Sequence, residues 1–172
     1  MKKLHGAILA GALLAGAGCD ESPTAPSPTS VVFTAQLSPA NEVPPVTNSD
    51  ASATGNVTIT FNNLTYDATG KILSGTVDFA ITLTGFPVAT TITGAHIHTG
   101  TAGSTGAVIV DTGITGEGGV SLLTGSGSIN RVGISGTPTA LASVIQSPAG
   151  VYFNVHTSNN TNGAIRGQLV KQ

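Results

Sequence analysis

The sequence predicts an all-β protein: an antiparallel, Greek-key-like β-sandwich of about eight strands with one short helix. Three observations predict it. Thr, Val, Ile and Gly dominate while charged residues make up only 8% of the chain, a composition that suits pleated, half-buried surfaces. Short runs of alternating apolar and polar residues recur between clusters of turn formers. Only one stretch carries a helical pattern with helix punctuation at both ends.

Taken in order, "VVFTAQL" (31–37) opens the domain. "ATGNVTITFN" (53–62) follows, and the turn-rich "NLTYDATG" closes it. "GTVDFAITLTG" (75–85) alternates most cleanly, with Val77, Phe79, Ile81 and Leu83 on one face and Thr76, Asp78, Ala80 and Thr82 on the other. The runs "TITGAHIH" (91–98), "GAVIVD" (106–111), "GVSLLTGSGSI" (119–129), "VYFNVH" (151–156) and "AIRGQLV" (164–170) complete the set. In "GTPTALASVIQSPAG", Thr137 can cap a helix and Pro138 suits its first position. Leu141, Val144 and Ile145 then share a face, and Pro148 and Gly150 end the segment. Such a helix covers an open end or edge of a sandwich.

The N-terminal stretch reads as an export signal rather than as part of the fold. Residues 1–18 combine Lys2 and Lys3 with a short apolar run and small residues, the pattern of a signal peptide. The run is too short and glycine-rich for a membrane-spanning helix, which needs about 20 apolar residues. Gly16, Ala17, Gly18 and Cys19 resemble a lipobox, with Gly16 where leucine is commonest. Cys19 is the only cysteine and has no partner for a disulfide. It is therefore the expected lipidation site, and residues 19–30, rich in Pro, Ser and Thr, form an extended tether. The remaining domain, 31–172, is long enough for one packed core. Removal of the leader leaves four basic side chains (Lys71, Arg131, Arg166, Lys171) against eight acidic ones, a formal charge of −4. Nucleic acid as a partner would call for a basic stripe, and there is none. The expected location is the bacterial cell envelope, periplasmic or surface-exposed, with the membrane reached through the lipid anchor.

Strand parity places the chemistry. The domain holds three histidines: His96, His98 and His156. In 151–156, Val151, Phe153 and Val155 form the apolar face, so Tyr152, Asn154 and His156 take the other. In 164–170, Ile165, Gly167 and Leu169 face the core and leave Arg166 and Gln168 opposite. The Asn- and Gly-rich "TSNNTNG" reads as the hairpin turn between these strands. Matching the core faces sets His156 opposite Ala164, Asn154 opposite Arg166 and Tyr152 opposite Gln168. His96 and His98 share a face with Gly94, which leaves room beside them. If their strand neighbours 151–156, three imidazoles converge.

"ANEVPPV" (40–46), "GAHIHTGTAGSTGAVIV" (94–110) and "VYFNVHTSNNTNGAIRGQL" (151–169), in that order, resemble the CHRD domain. That module is named after chordin and also occurs in secreted bacterial proteins. The likeness spans about residues 31 to 170 and implies a sandwich-like extracellular domain. It implies no established activity. Chordin binds its growth factor through other, cysteine-rich modules, which this chain lacks.

Two functional readings follow. In the first, the domain is an anchored binding module for a protein or small-molecule ligand. Its three histidines suit zinc or copper, because H-x-H on a strand presents two imidazoles together. Glu42, stiffened by Pro44 and Pro45, is a candidate fourth ligand, and Asn154 and Arg166 are candidate accessory residues. The alternative is a metal-dependent enzyme of the envelope. "HIH" before a glycine-rich loop and the late "GAIRGQLV" faintly resemble copper/zinc superoxide dismutase, but three histidines are too few for that enzyme's two-metal site. A hydrolytic reading lacks a G-x-S-x-G elbow and would need distant acids such as Asp78 and Asp111 to meet. The sequence spells out no catalytic residues.

Overall fold

The computed structural model describes residues 27–172, the side chain of Glu117 excepted. The expected signal peptide, Cys19 and the first part of the tether lie outside the described residues. Among the described residues, ten strands and one α-helix follow in chain order. They are β1 (Val31–Leu37), β2 (Thr54–Tyr66), β3 (Ile72–Thr84), β4 (Thr90–Thr99), β5 (Val108–Asp111), β6 (Val120–Leu122), β7 (Gly127–Ser135), α1 (Pro138–Gln146), β8 (Val151–Thr157), β9 (Ile165–Gln168) and β10 (Val170–Lys171). One antiparallel sheet runs β10-β1-β2-β3-β7. The other runs β5-β4-β8-β9, with β6 also paired to β4.

Alternation decides which side chains meet between the sheets. Val57, Ile59 and Phe61 of β2 and Val77, Phe79, Ile81 and Leu83 of β3 are buried. They pack with Ile97, Phe153, Val155 and Ile165 of the second sheet in one continuous core. The rings of Phe79 and Phe153 lie 5.8 Å apart across the interface. Each such aromatic contributes about 1.5–3 kcal/mol on burial. Helix α1 starts as expected, with the Thr137 hydroxyl accepting from the Ala140 amide at 3.2 Å and Pro138 in its first turn. Its buried Leu141 seats against Gly136, where an added β-carbon would collide with it.

Two runs expected as single strands are each split between the sheets. "GVSLLTGSGSI" becomes β6, paired with β4, and β7, paired with β3. The turn between them contains Gly125 at φ +75°, and a side chain there would strike the Phe86 carbonyl. Likewise "AIRGQLV" supplies β9 to one sheet and β10 to the other. Apolar periodicity looks the same on either sheet, so it does not reveal where a strand changes sheets.

Strand β8 is the axis of the functional face. Val151 through Val155 are all buried, so both its faces are covered. The apolar face meets the other sheet. The polar face lies beneath chain segments that follow β1, β4 and β8.

Candidate functional site

The register brings the expected residues to one face. Strand β4 lies beside β8, with Gly94 opposite His156, His96 opposite Asn154 and His98 opposite Tyr152. On the other side of β8, Tyr152 stands opposite Gln168 and Asn154 opposite Arg166. Ala164, expected opposite His156, lies just beyond the paired residues, its amide donating to the Val155 carbonyl at 2.7 Å.

His96, His98 and His156 form one cluster, each offering a ring nitrogen within 4.8 Å of the others'. Ring centres are 4.8 Å apart for His96 and His156, 5.6 Å for His96 and His98, and 6.0 Å for His98 and His156. Gly94 makes the space: a β-carbon there would come within 2.8 Å of the His96 ring.

Hydrogen bonding assigns the tautomers. His98 Nδ1 is 3.0 Å from the Gly106 carbonyl oxygen, and His156 Nδ1 is 2.9 Å from that of Thr161. A carbonyl only accepts, so both Nδ1 atoms carry the proton and both Nε2 atoms keep the lone pair. His98 Nε2, His156 Nε2 and His96 Nδ1 are buried without a hydrogen-bond partner. The remaining ring nitrogen, His96 Nε2, lies 3.7 Å from Asp111 Oδ1.

Burial also disfavours protonation of His96 and His156. Desolvation, then the neighbouring His156, push the His96 pKa down from 6.5 to about 4, against the pull of Asp111. The His156 pKa is lowered too, chiefly by desolvation. Neutral imidazoles with free lone pairs are the form that ligates metals.

Glu42, Asn154 and Arg166 assemble beside this cluster. Glu42 is buried and its Oε1 has no partner. Desolvation raises its pKa from 4.5 to about 7, although Arg166 and Asn154 draw it back down. It abuts Gly163, where a β-carbon would lie 2.6 Å from Glu42 Oε1 and 2.8 Å from Asn154 Nδ2. Glu42, expected as a candidate fourth ligand, is not among the three residues whose ligand atoms lie within 4.8 Å of one another. The 42–46 segment instead sets its carboxyl beside Asn154 and Gly163. Arg166 is only 1% exposed. It donates to the Ser104 carbonyl at 2.8 Å and, more weakly, to that of Thr101 at 3.4 Å. Its guanidinium lies 4.0 Å from the centre of the Tyr152 ring. The other neighbour of Tyr152 is His98, stacked at 5.0 Å with only 6° between the planes. Arg166 thus fastens the 101–104 loop over the polar face, the structural role its chemistry also allows.

Sequence reasoning missed Asp111 beside His96 and the fully buried Asp50. Asp50 Oδ2 accepts from Thr157 at 2.7 Å and from Asn160 at 2.6 Å, which ties the 48–52 turn to the loop after β8. No periodic pattern could mark it, because it sits in a turn. Asp111 was obscured by a bulge. His98 pairs with Val108 but Ile97 with Val110, so Ile109 is the extra residue. Unbulged pairing would have set Val110, not Asp111, opposite His96. Asp78 and Asp111 do not form a carboxylate pair. Asp78 is in the other sheet, where it binds Asn62 and the Gly133 amide.

The family model of the CHRD domain matches residues 33–169. No curated protein and no solved structure matches the chain.

Proposed function

This chain belongs to the CHRD domain family, and from that premise we propose that it is a binding module holding one zinc or copper ion between His96, His98 and His156. One observation carries the reading. Three buried imidazole nitrogens on neighbouring strands have no hydrogen-bond partner, and their residues form a single group. An unsatisfied buried polar atom costs about 1–3 kcal/mol, and a shared cation would satisfy all three at once. Zinc and copper both favour imidazole donors. Metal–nitrogen bonds of about 2 Å would draw the rings closer than they now stand. A three-histidine set leaves a further position for water or a small ligand. The leader and Cys19 would display this module on a membrane of the cell envelope.

Calorimetric titration of tag-free protein with each metal tests the site. Wild type should take up one equivalent, and His96→Ala, His98→Ala and His156→Ala should each lose most of the affinity. Equal, weak binding by all four proteins would defeat the reading. The anchor is tested separately by lipid labelling. Persistence of the same labelled mature protein in Cys19→Ser would reject it.

A further inference from the structure

We propose that the cluster binds metal through a mixed donor set, His96 Nδ1 with His98 Nε2 and His156 Nε2, and that Asp111 is the positioning residue that fixes this choice. The inference rests on the metal-binding reading above and adds the ligand atoms and their orienting partners.

A neutral imidazole has one lone pair, and the ring nitrogen that carries the proton cannot ligate. For His98 and His156 the choice is made by carbonyl oxygens, which hold Nδ1–H toward Gly106 and Thr161. Each carbonyl lies in a loop that follows the histidine's own strand, so the fold itself orients both rings. His96 has no such carbonyl. Its Nε2 instead faces the Asp111 carboxylate at 3.7 Å, while its Nδ1 is buried and unpaired. An ionised carboxylate only accepts, so the proton belongs on Nε2 and the lone pair on Nδ1.

Asp111 is held for this task. The bulge at Ile109 places it opposite His96. Its Oδ1 also accepts the Gly113 amide at 2.7 Å, which fixes the carboxylate's direction. Its side chain is 57% exposed, so plain charge attraction is screened and weak. Its influence therefore runs through ring orientation and donor basicity, as carboxylates behind metal-bound histidines do. The 3.7 Å separation is longer than a hydrogen bond and should tighten as metal draws electron density from the ring.

The test uses isotope-labelled histidine and cadmium as an NMR-active probe in the intact protein. Metal–nitrogen coupling should appear at His96 Nδ1 and at Nε2 of His98 and His156. Asp111→Asn keeps an oxygen for the Gly113 amide but removes the charge. Asp111→Ala removes both. Zinc affinity should fall about 10- to 100-fold in Asp111→Ala and less in Asp111→Asn, with the His96 resonances showing mixed tautomers in both. Coupling at His96 Nε2, or unchanged affinity and tautomer in Asp111→Ala, would overturn the inference while leaving the metal site intact. Absence of binding by wild type would remove the metal site itself, and the inference with it.

Discussion

The two faces of β8 are both buried, yet they are built by opposite means. On one face, Phe153 and Val155 meet the other sheet in a core without a polar partner to satisfy. On the other, Asn154 and His156 lie among buried Glu42, His98 and Arg166. The first face is held by area removed from water, which is non-directional and tolerant. The second is held by donors and acceptors that must match, and several do not: Glu42 Oε1, Asn154 Oδ1 and three imidazole nitrogens lack partners. This unmet hydrogen-bonding capacity is a cost that the proposed metal ion would relieve for the three imidazoles.

The largest expected effect lies on the apolar side. Phe153→Ala should cost about 3–5 kcal/mol, as for a fully buried aromatic, measured by chemical denaturation. A loss near zero would mean that the faces are reversed and would dissolve the comparison.

The apolar side was legible because alternation alone specifies it. Val77, Phe79, Ile81 and Leu83 share a face in any register that buries them. The parity of His96, His98 and His156 was legible for the same reason. What covers the polar side was not. Glu42 follows a tight turn at Pro39–Asn41, Ser104 lies between β4 and β5, and Thr161 lies in the loop after β8. Their arrival over one face depends on loop paths, which have no period. The Asp111 position depended on one extra residue in β5, and the sheet changes within 119–129 and 164–170 depended on local breaks. Each is a tertiary decision that leaves apolar periodicity unchanged.

On the polar side, Glu42→Gln should reveal the cost of a buried acid. The Glu42 pKa is raised from 4.5 to about 7, so the folded state holds a proton that the unfolded state has released. Stability is then full below about 4.5, falls as pH rises toward 7 and is flat above it. At about 1.4 kcal/mol per unit, the loss approaches about 3 kcal/mol. Glu42→Gln should match wild type near pH 4.5 and exceed it by up to that amount at about pH 8. Parallel stability curves for the two proteins would show that Glu42 ionises freely and is not desolvated.

The histidines impose the opposite slope. The His96 pKa falls from 6.5 to about 4, so the unfolded state takes up a proton that the folded apoprotein refuses. Stability is full above about 6.5 and is lost as pH falls toward 4, by about 2–3 kcal/mol after some allowance for the partly exposed ring. His156 acts in the same direction. In wild type this slope and that of Glu42 oppose one another. Apo Glu42→Gln should expose the histidine slope, and His96→Gln in that background should shrink it. A steep slope that survives both changes would place the acid sensitivity outside the cluster.

The smallest effect tests whether the polar face acts as one network. Asn154 lies beside Glu42 and helps hold its pKa down, yet its own Oδ1 has no partner. Asn154→Ala loses a donor near Glu42 but also removes an unsatisfied acceptor. These partly cancel, and the expected cost is about 1 kcal/mol, the scale of a single hydrogen bond. The informative readout is the Glu42 titration. Without Asn154 the carboxylate loses a stabilising donor, so its midpoint should move above about 7 and the falling limb of stability, which still starts near 4.5, should extend to higher pH. A variant as costly as Phe153→Ala would show that the polar face is packed as tightly as the core. An unmoved Glu42 midpoint would show that Asn154 and Glu42 are neighbours without coupling.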